Sequence, residues 1–259
     1  MTKIISVVNQ KGGVGKTTTV VNLGSSLAVA NRKTLLIDFD PQGNATSGLG
    51  INKNSISKTV YNSIIEDIPL AETIQNVYPE DLNGNLHISP SNSELTGAEV
   101  ELLYMEEREW KLKEVIAPVQ ERYDYVLIDC PPSLSILTVN ALTASHSVII
   151  PIQCEYYALE GLGQLQRTIS LIRQRLNTGL QTEGYLLTMF DPRNNICHSV
   201  VNEVQNHFGD KVFSTMISRN VKLAESPSHG KPLILYDIKS AGAANYISLA
   251  QEIIENEGG

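Results

Sequence analysis

Cysteine is scarce. Cys130, Cys154 and Cys197 are the three cysteines of 259 residues, far apart in sequence, with no CxxC pair and no His/Cys cluster at metal-ligand spacing. A disulfide framework and a structural zinc are thereby excluded as expectations. Aromatic residues make up only 6%, yet with 42% hydrophobic and 19% charged residues the composition suits a soluble globular chain with a sizeable core. Disordered and fibrous classes do not fit it. No apolar run approaches the roughly 20 residues that span a bilayer. The opening MTKIISVVNQKGG lacks the apolar core and cleavage site of a signal peptide, so the expected location is cytoplasmic. Internal repeats, low-complexity tracts and long Gly/Ser linkers are missing, and the polar stretch 78–85 reads as a loop. One domain over 1–259 is expected.

Basic residues are in deficit, with 20 Lys and Arg against 28 Asp and Glu and a net charge of −8. This argues against a uniformly basic nucleic-acid binder, but the charge is uneven: residues 60–130 carry −11, whereas 161–239 carry +3. A local basic face is therefore compatible with the acidic total.

What is present is a regular alternation. Apolar runs rich in β-branched residues at 4–8, 34–37, 86–89, 125–128, 148–152 and 185–189 read as buried strands. Helical spacing marks 17–30, 94–104, 109–120, 134–144, 159–176 and 199–208. The order predicts an α/β fold: a doubly wound, mainly parallel sheet with helices on both faces. Ligands of such sheets bind beyond the carboxyl ends of the strands. Three of those ends are polar here.

After the first strand comes NQKGGVGKTTT, residues 9–19, leading into a helix. Gly12, Gly13 and Gly15 permit tight turns that aim backbone N–H groups at phosphate oxygens near the positive helix end. Lys16 is placed to neutralise β- and γ-phosphates, and the Thr17 hydroxyl to bind Mg²⁺. Val14 and Thr18 complete the expected nucleotide-binding loop. The second strand ends in LLIDFDPQGN, where Asp38 and Asp40, two apart on extended chain, point to the same side. The strand YVLI ends in Asp129, an acid in the place of a magnesium-holding carboxylate, and Pro131 and Pro132 force an extended exit. Cys130 has no neighbouring histidine to activate it and reads as a small packed side chain.

The ordinary pattern GxxxxGK[ST] has a glycine where this chain has Gln10, and it does not require Lys11. KGGVGKTT instead resembles the deviant Walker A motif of the ParA/MinD family of P-loop ATPases. The resemblance implies ATP and Mg²⁺ as cofactors and makes Lys11 a signature lysine that reaches across a nucleotide-sandwich dimer to the partner's phosphates. A cation supplied in trans stabilises charge on the γ-phosphoryl oxygens and ties dimerisation to ATP. By the family's DxDPQGN motif, Asp40 orients the attacking water and Asp38 supports the magnesium network. The implied catalytic set is Lys11, Lys16 and Asp40, and the implied metal set Thr17, Asp38 and Asp129.

A MinD-like member ends in a basic amphipathic helix that lies on a membrane. This chain ends AGAANYISLAQEIIENEGG, with Ala244, Ile247, Leu249, Ala250 and Ile253 as the expected core face and Glu252, Glu255 and Glu257 opposed to anionic lipid. No membrane contact is expected. TMFDPRNN and ISRNVKLAESPSHGKP resemble the "TMxDxRxN" and "PRNxxLxEAPSxGxP" segments of the small chromosomal ParA/Soj type, with local departures at Pro192 and Ser218. The resemblance implies an ATP-dependent homodimer that binds double-stranded DNA without sequence preference and associates with the nucleoid. A ParB-like centromere-binding partner stimulates hydrolysis and release. Arg193 and Arg219 match family DNA-contact positions, and Lys222 is a further candidate; Arg167, Arg173 and Arg175 on one helix are weaker ones. Each arginine alone is equally well explained as a solvated or ion-paired surface residue. With the first strand beginning near residue 3, no N-terminal helix-turn-helix is expected. Two other readings stay open: a MinD-like cargo- or division-positioning ATPase that acts without DNA, and a metabolic ligase of the same lineage.

Overall fold

The computed structural model describes residues 2–156, 158–159 and 161–257. Their seven strands form one sheet in the order β3-β4-β2-β5-β1-β6-β7. These are β1 (Lys3–Val7), β2 (Thr34–Asp38), β3 (Gln75–Asn76), β4 (Leu86–Ser89), β5 (Tyr125–Asp129), β6 (Ser147–Gln153) and β7 (Gln181–Thr188). All pairings are parallel except that of β3 with β4. The expected fold class holds, and each of the six expected strands is present. β3 escapes a reading by hydrophobic pattern because it is two exposed polar residues on an edge.

Helices cover both faces: α1 (Lys16–Val29), α2 (Asn44–Gly48), α3 (Val60–Ile65), α4 (Leu95–Glu101), α5 (Lys111–Ile116), α6 (Ile136–Ala144), α7 (Leu162–Arg175), α8 (Asn195–Phe208), α9 (Val221–Glu225), α10 (Leu233–Tyr236) and α11 (Ala241–Glu255). Alternate residues of each central strand feed opposite cores. Ile4, Leu35, Ile37, Val126, Ile128, Val148 and Ile150 belong to one cluster, and Ile5, Leu36, Leu127, Ile149 and Leu186 to the other. That two-sided burial explains why the parallel strands read as continuous apolar runs. Pro151 sits in β6 without breaking the sheet. β1 pairs with β6 only as far as Val7↔Ile149 and then turns away into the glycine loop, so the missing proline N–H has no ladder partner to deprive.

Several helix boundaries differ from the sequence expectation for identifiable reasons. α5 stops at Ile116, two residues before Pro118. α8 starts four residues earlier than expected, because the Asn194 side chain accepts the Ile196 N–H and caps it. In α11 the core face is Ala243, Tyr246, Leu249, Ala250 and Ile253, whereas Ala244 is exposed and Ile247 half-buried. The Tyr246 hydroxyl meets the Thr19 hydroxyl of α1 at 3.2 Å, which sets the rotation of the helix. None of the helices among the described residues is long and apolar enough to cross a membrane.

Candidate active site

The carboxyl ends of β1, β2 and β5 lie side by side, with Val7 and Asp38 both register partners of Asp129. Beyond them the chain from Asn9 to Gly15 forms a loop braced on three sides. Asn9 Nδ2 donates to Pro151 O at 2.7 Å, Gln10 Nε2 to Gly161 O at 2.8 Å, and Thr188 Oγ1 to Val14 O at 2.9 Å. Gly13 (φ 75°) and Gly15 (φ 93°) occupy the left-handed region that glycine enters without a Cβ penalty. Gly15 caps α1 with no side chain, which leaves the first helical N–H groups for a ligand. A Cβ on Gly12 or Gly13 would meet no protein atom, so the space before the loop is open.

That space is a cleft of about 440 Å³ lined by Gly12, Gly13, Gly15, Lys16, Thr17, Thr18 and, across from them, Asp40. Lys16 is only 7% exposed, and its Nζ donates to Lys11 O at 3.1 Å. Burial lowers its affinity for a proton, while Asp129 and Asp40 pull the other way. Asp40 is held at the cleft: its Oδ1 accepts the Gln42 N–H at 2.9 Å, and Ser91 Oγ donates to its carbonyl at 2.9 Å.

The two remaining acids differ. Asp38 Oδ2 accepts both the N–H and the hydroxyl of Thr46, at 2.8 and 2.7 Å, and Oδ1 accepts the Asp40 N–H at 3.3 Å. Its oxygens are therefore occupied in fixing α2. Both oxygens of Asp129 are buried and, among the described residues, make no well-formed hydrogen bond; the nearby Thr17 hydroxyl favours the ionised carboxylate without satisfying it. An orphaned carboxylate beside a threonine hydroxyl and a lysine suits a hard cation, and Mg²⁺ needs few protein oxygens when it also has water and phosphate. Thr17 and Asp129 are the residues that fit it. Cys130, pushed up by burial and by Asp129, is inert packing.

This arrangement sets a pH dependence. Burial raises the Asp38 carboxyl to about 6, and burial together with Asp38 raises Asp129 well above its ordinary value. The native state thus holds protons that the unfolded chain has released above about pH 4. Stability contributed by these groups is present below that pH and is lost as pH rises through the native pKa values, the reverse of a salt-bridged carboxylate. Asp129→Asn is expected to stabilise the ligand-free protein at pH 8 by about 1–3 kcal/mol and to reduce the pH dependence of its melting temperature between pH 5 and 8, with the Asp38 share remaining. Thermal melts across that range check it; an unchanged or lowered melting temperature contradicts the orphaned-charge account.

A family model described as an AAA domain matches residues 2–182. The chromosome partitioning protein ParA of Myxococcus xanthus is 53% identical over 98% of this chain and 89% of its own length. The sporulation initiation inhibitor protein Soj of Bacillus subtilis is 54% identical over 99% of this chain and 100% of its own. The chain belongs to the ParA/Soj family of partitioning ATPases. Among solved structures, cobyrinic acid a,c-diamide synthase from Mycobacterium smegmatis with bound ADP and magnesium superposes with a TM-score of 0.87. It is 35% identical, over 100% of this chain and 96% of its own. A plasmid partition protein from Borrelia burgdorferi bound to AMPPNP gives a TM-score of 0.81 at 28% identity, over 99% and 100%.

The other positions singled out by the ParA/Soj resemblance lie around this cleft rather than in it. Lys11 faces a separate groove with Pro132, Ser133 and Gly161, its Nζ 3.9 Å from Glu155 Oε2. Arg193 and Arg219 are brought together where Phe190 pairs with Ser218 and the Arg219 N–H bonds to Phe190 O at 2.9 Å. The Arg193 side chain is 88% exposed and forks onto Asp191 through Nε and Nη2 at 2.9 and 2.8 Å, which holds that carboxyl at about 2. Lys222, in the first turn of α9, pairs with Glu225 at 2.9 Å. Arg167, Arg173 and Arg175 are exposed on α7, and Arg173 Nε donates to Leu180 O.

One feature of the ParA/Soj fold had no sequence signal. A mainly apolar cavity of about 380 Å³ shares Gly15, Thr18 and Met189 with the cleft and is walled by Val221, Leu223 and Tyr246. Val221 and Leu223 follow no strand and belong to a five-residue helix, so periodicity could not mark them.

Proposed function

We propose that the chain is an ATP-dependent DNA-partitioning protein whose ATP-bound homodimer holds duplex DNA without sequence preference and lets go on hydrolysis. A ParB-like centromere-binding partner stimulates that hydrolysis. The observation that carries this reading is the cleft at three adjoining strand ends, where the glycine loop and buried Lys16 face Asp40 beside the orphaned Asp129.

In this reading the loop N–H groups and Lys16 bind the phosphates, and Thr17 and Asp129 hold magnesium. When bound, that ion neutralises charge shared by the β- and γ-phosphate oxygens. The Asp40 carboxylate accepts a hydrogen bond from water and turns its lone pair toward the γ-phosphorus. Asp38 acts through Thr46 and α2 to keep that wall in place. Lys11, which lies outside its own cleft in a partly exposed pair with Glu155, exchanges that carboxylate for a partner's phosphates. The base fits the apolar cavity that opens off the phosphate loop.

Arg219 lines that same cavity, and Ser226 and Pro227, just after α9, line the cleft. The nucleotide and the candidate DNA contacts thus share one short segment, which supports ATP-dependent alignment of the already accessible Arg193, Arg219 and Lys222 into one phosphate-binding face. To hold DNA phosphates, Arg193 exchanges Asp191 for the backbone. The likeness to the diamide synthase favours a ligase as the second reading, but the relatives above 50% identity are named for partitioning and sporulation.

Magnesium-dependent ATP turnover, with sedimentation of the nucleotide-bound protein, tests the proposal. Slow turnover with an ATP-dependent dimer, accelerated by DNA-bound partner, is expected. Turnover that requires a small carboxylate substrate and ignores DNA and partner contradicts it.

A further inference from the structure

Two walls of the cleft meet behind it. One is α2, whose Ser47 and Gly48 face the cleft; the other is the 226–231 turn, which presents Ser226, Pro227 and Lys231. Just past α2 and within the turn, Gly50 (φ 81°) and Gly230 (φ 63°) touch backbone to backbone. A Cβ built on Gly230 would lie 2.5 Å from Gly50 Cα, and one on Gly50 would lie 3.1 Å from the Gly230 carbonyl oxygen. Only glycine allows both the conformation and the approach.

Tyr78 closes this junction from the β3–β4 turn. Its hydroxyl donates to Gly230 O and also lies 3.3 Å from Leu49 O, so one proton is shared between carbonyls of the two walls. Tyr78 itself has φ 51°. A bulky side chain in the left-handed region persists only where its surroundings hold it, and such strain gathers at sites where placement matters. The two-residue strand β3 before it gives the turn little anchorage of its own.

We propose that Tyr78 is a positioning residue for the nucleotide, a clamp that fixes the spacing of the two cleft walls; this rests on the ATPase reading above. Asp38 secures α2 from the strand side, through Thr46, and Tyr78 secures it from behind. Without the hydroxyl the walls separate independently, and the nucleotide must select the closed arrangement from a wider ensemble. Apparent affinity falls by the lost fraction of closed molecules, equally for ATP and ADP, while the chemical step is untouched.

The test is Tyr78→Phe, which keeps the ring and removes only the oxygen. ATP and ADP dissociation constants are expected to rise about fivefold, with unchanged kcat and an unchanged thermal midpoint. Amide hydrogen exchange at 44–50 and 226–231 is expected to quicken in the ligand-free protein. Gly230→Ala is expected to weaken nucleotide binding in the same direction. Gly84→Ala, at φ 67° on the same turn but with only Asn76 Nδ2 near a Cβ, in ordinary contact at 3.7 Å, keeps wild-type affinity. Wild-type affinity and exchange in Tyr78→Phe overturn the clamp, as does a lowered thermal midpoint without a change in affinity. An unsubstituted protein that binds neither nucleotide contradicts the ATPase reading instead, and the exchange comparison still decides whether Tyr78 ties the walls.

Discussion

Lys16→Ala protein is expected to unfold cooperatively and yet to bind ATP about a thousandfold more weakly than the unsubstituted chain. Lys16 is the one cation among the cleft-lining residues on the phosphate loop, and it is nearly sealed from water. At the reduced effective dielectric of such a place, one unit charge about 4 Å from a phosphate contributes roughly 4 kcal/mol. The substitution also leaves Asp40 and Asp129 facing an anionic ligand with no fixed counter-charge from the loop. The ligand-free fold loses less, because the ammonium is held by one backbone carbonyl and, among the described residues, pairs with no carboxylate at salt-bridge distance. Titration with a fluorescent ATP analogue checks the prediction. An affinity within a few-fold of the unsubstituted protein would mean that the phosphates sit elsewhere.

The second large effect separates binding from chemistry. Asp40→Ala is expected to keep ATP within a few-fold in affinity and to lose about 10²- to 10⁴-fold in turnover, the range for removal of a general base or water-orienting group. Asp40 suits this role because its carboxylate lines the cleft while a backbone N–H and the Ser91 contact fix its loop. Asp38 and Asp129 are fully buried and stand outside the lining. A trapped ATP complex should accumulate as dimer, seen by sedimentation. Single-turnover hydrolysis at the unsubstituted rate removes Asp40 from the mechanism.

Much of this was legible in the chain because parallel sheets covered on both faces write themselves as apolar runs. The strands around Leu36, Leu127 and Ile149 announce themselves by composition, and their carboxyl ends follow. The glycine spacing before Lys16 marks the phosphate loop by the same local logic. What stayed hidden depends on contacts distant in sequence. Asp38 and Asp40 look equivalent in DFDP, and only Thr46 distinguishes them, by occupying the Asp38 oxygens. The rotation of α11 differs from its apolar pattern because Tyr246 reads as a half-polar residue until Thr19 meets its hydroxyl. The apolar cavity by Val221 and the Tyr78 junction join segments more than a hundred residues apart, which no local period records.

In the proposed cycle, nucleotide state governs grip on DNA. The measurement that tests it most directly is retention of non-specific duplex with ATP, ADP or no nucleotide across a salt series, with Asp40→Ala and Arg219→Glu alongside. Binding is expected with ATP only, weakened steeply by salt as phosphate contacts require, prolonged in Asp40→Ala and lost in Arg219→Glu. Equal retention in all nucleotide states, or none in any, would contradict it.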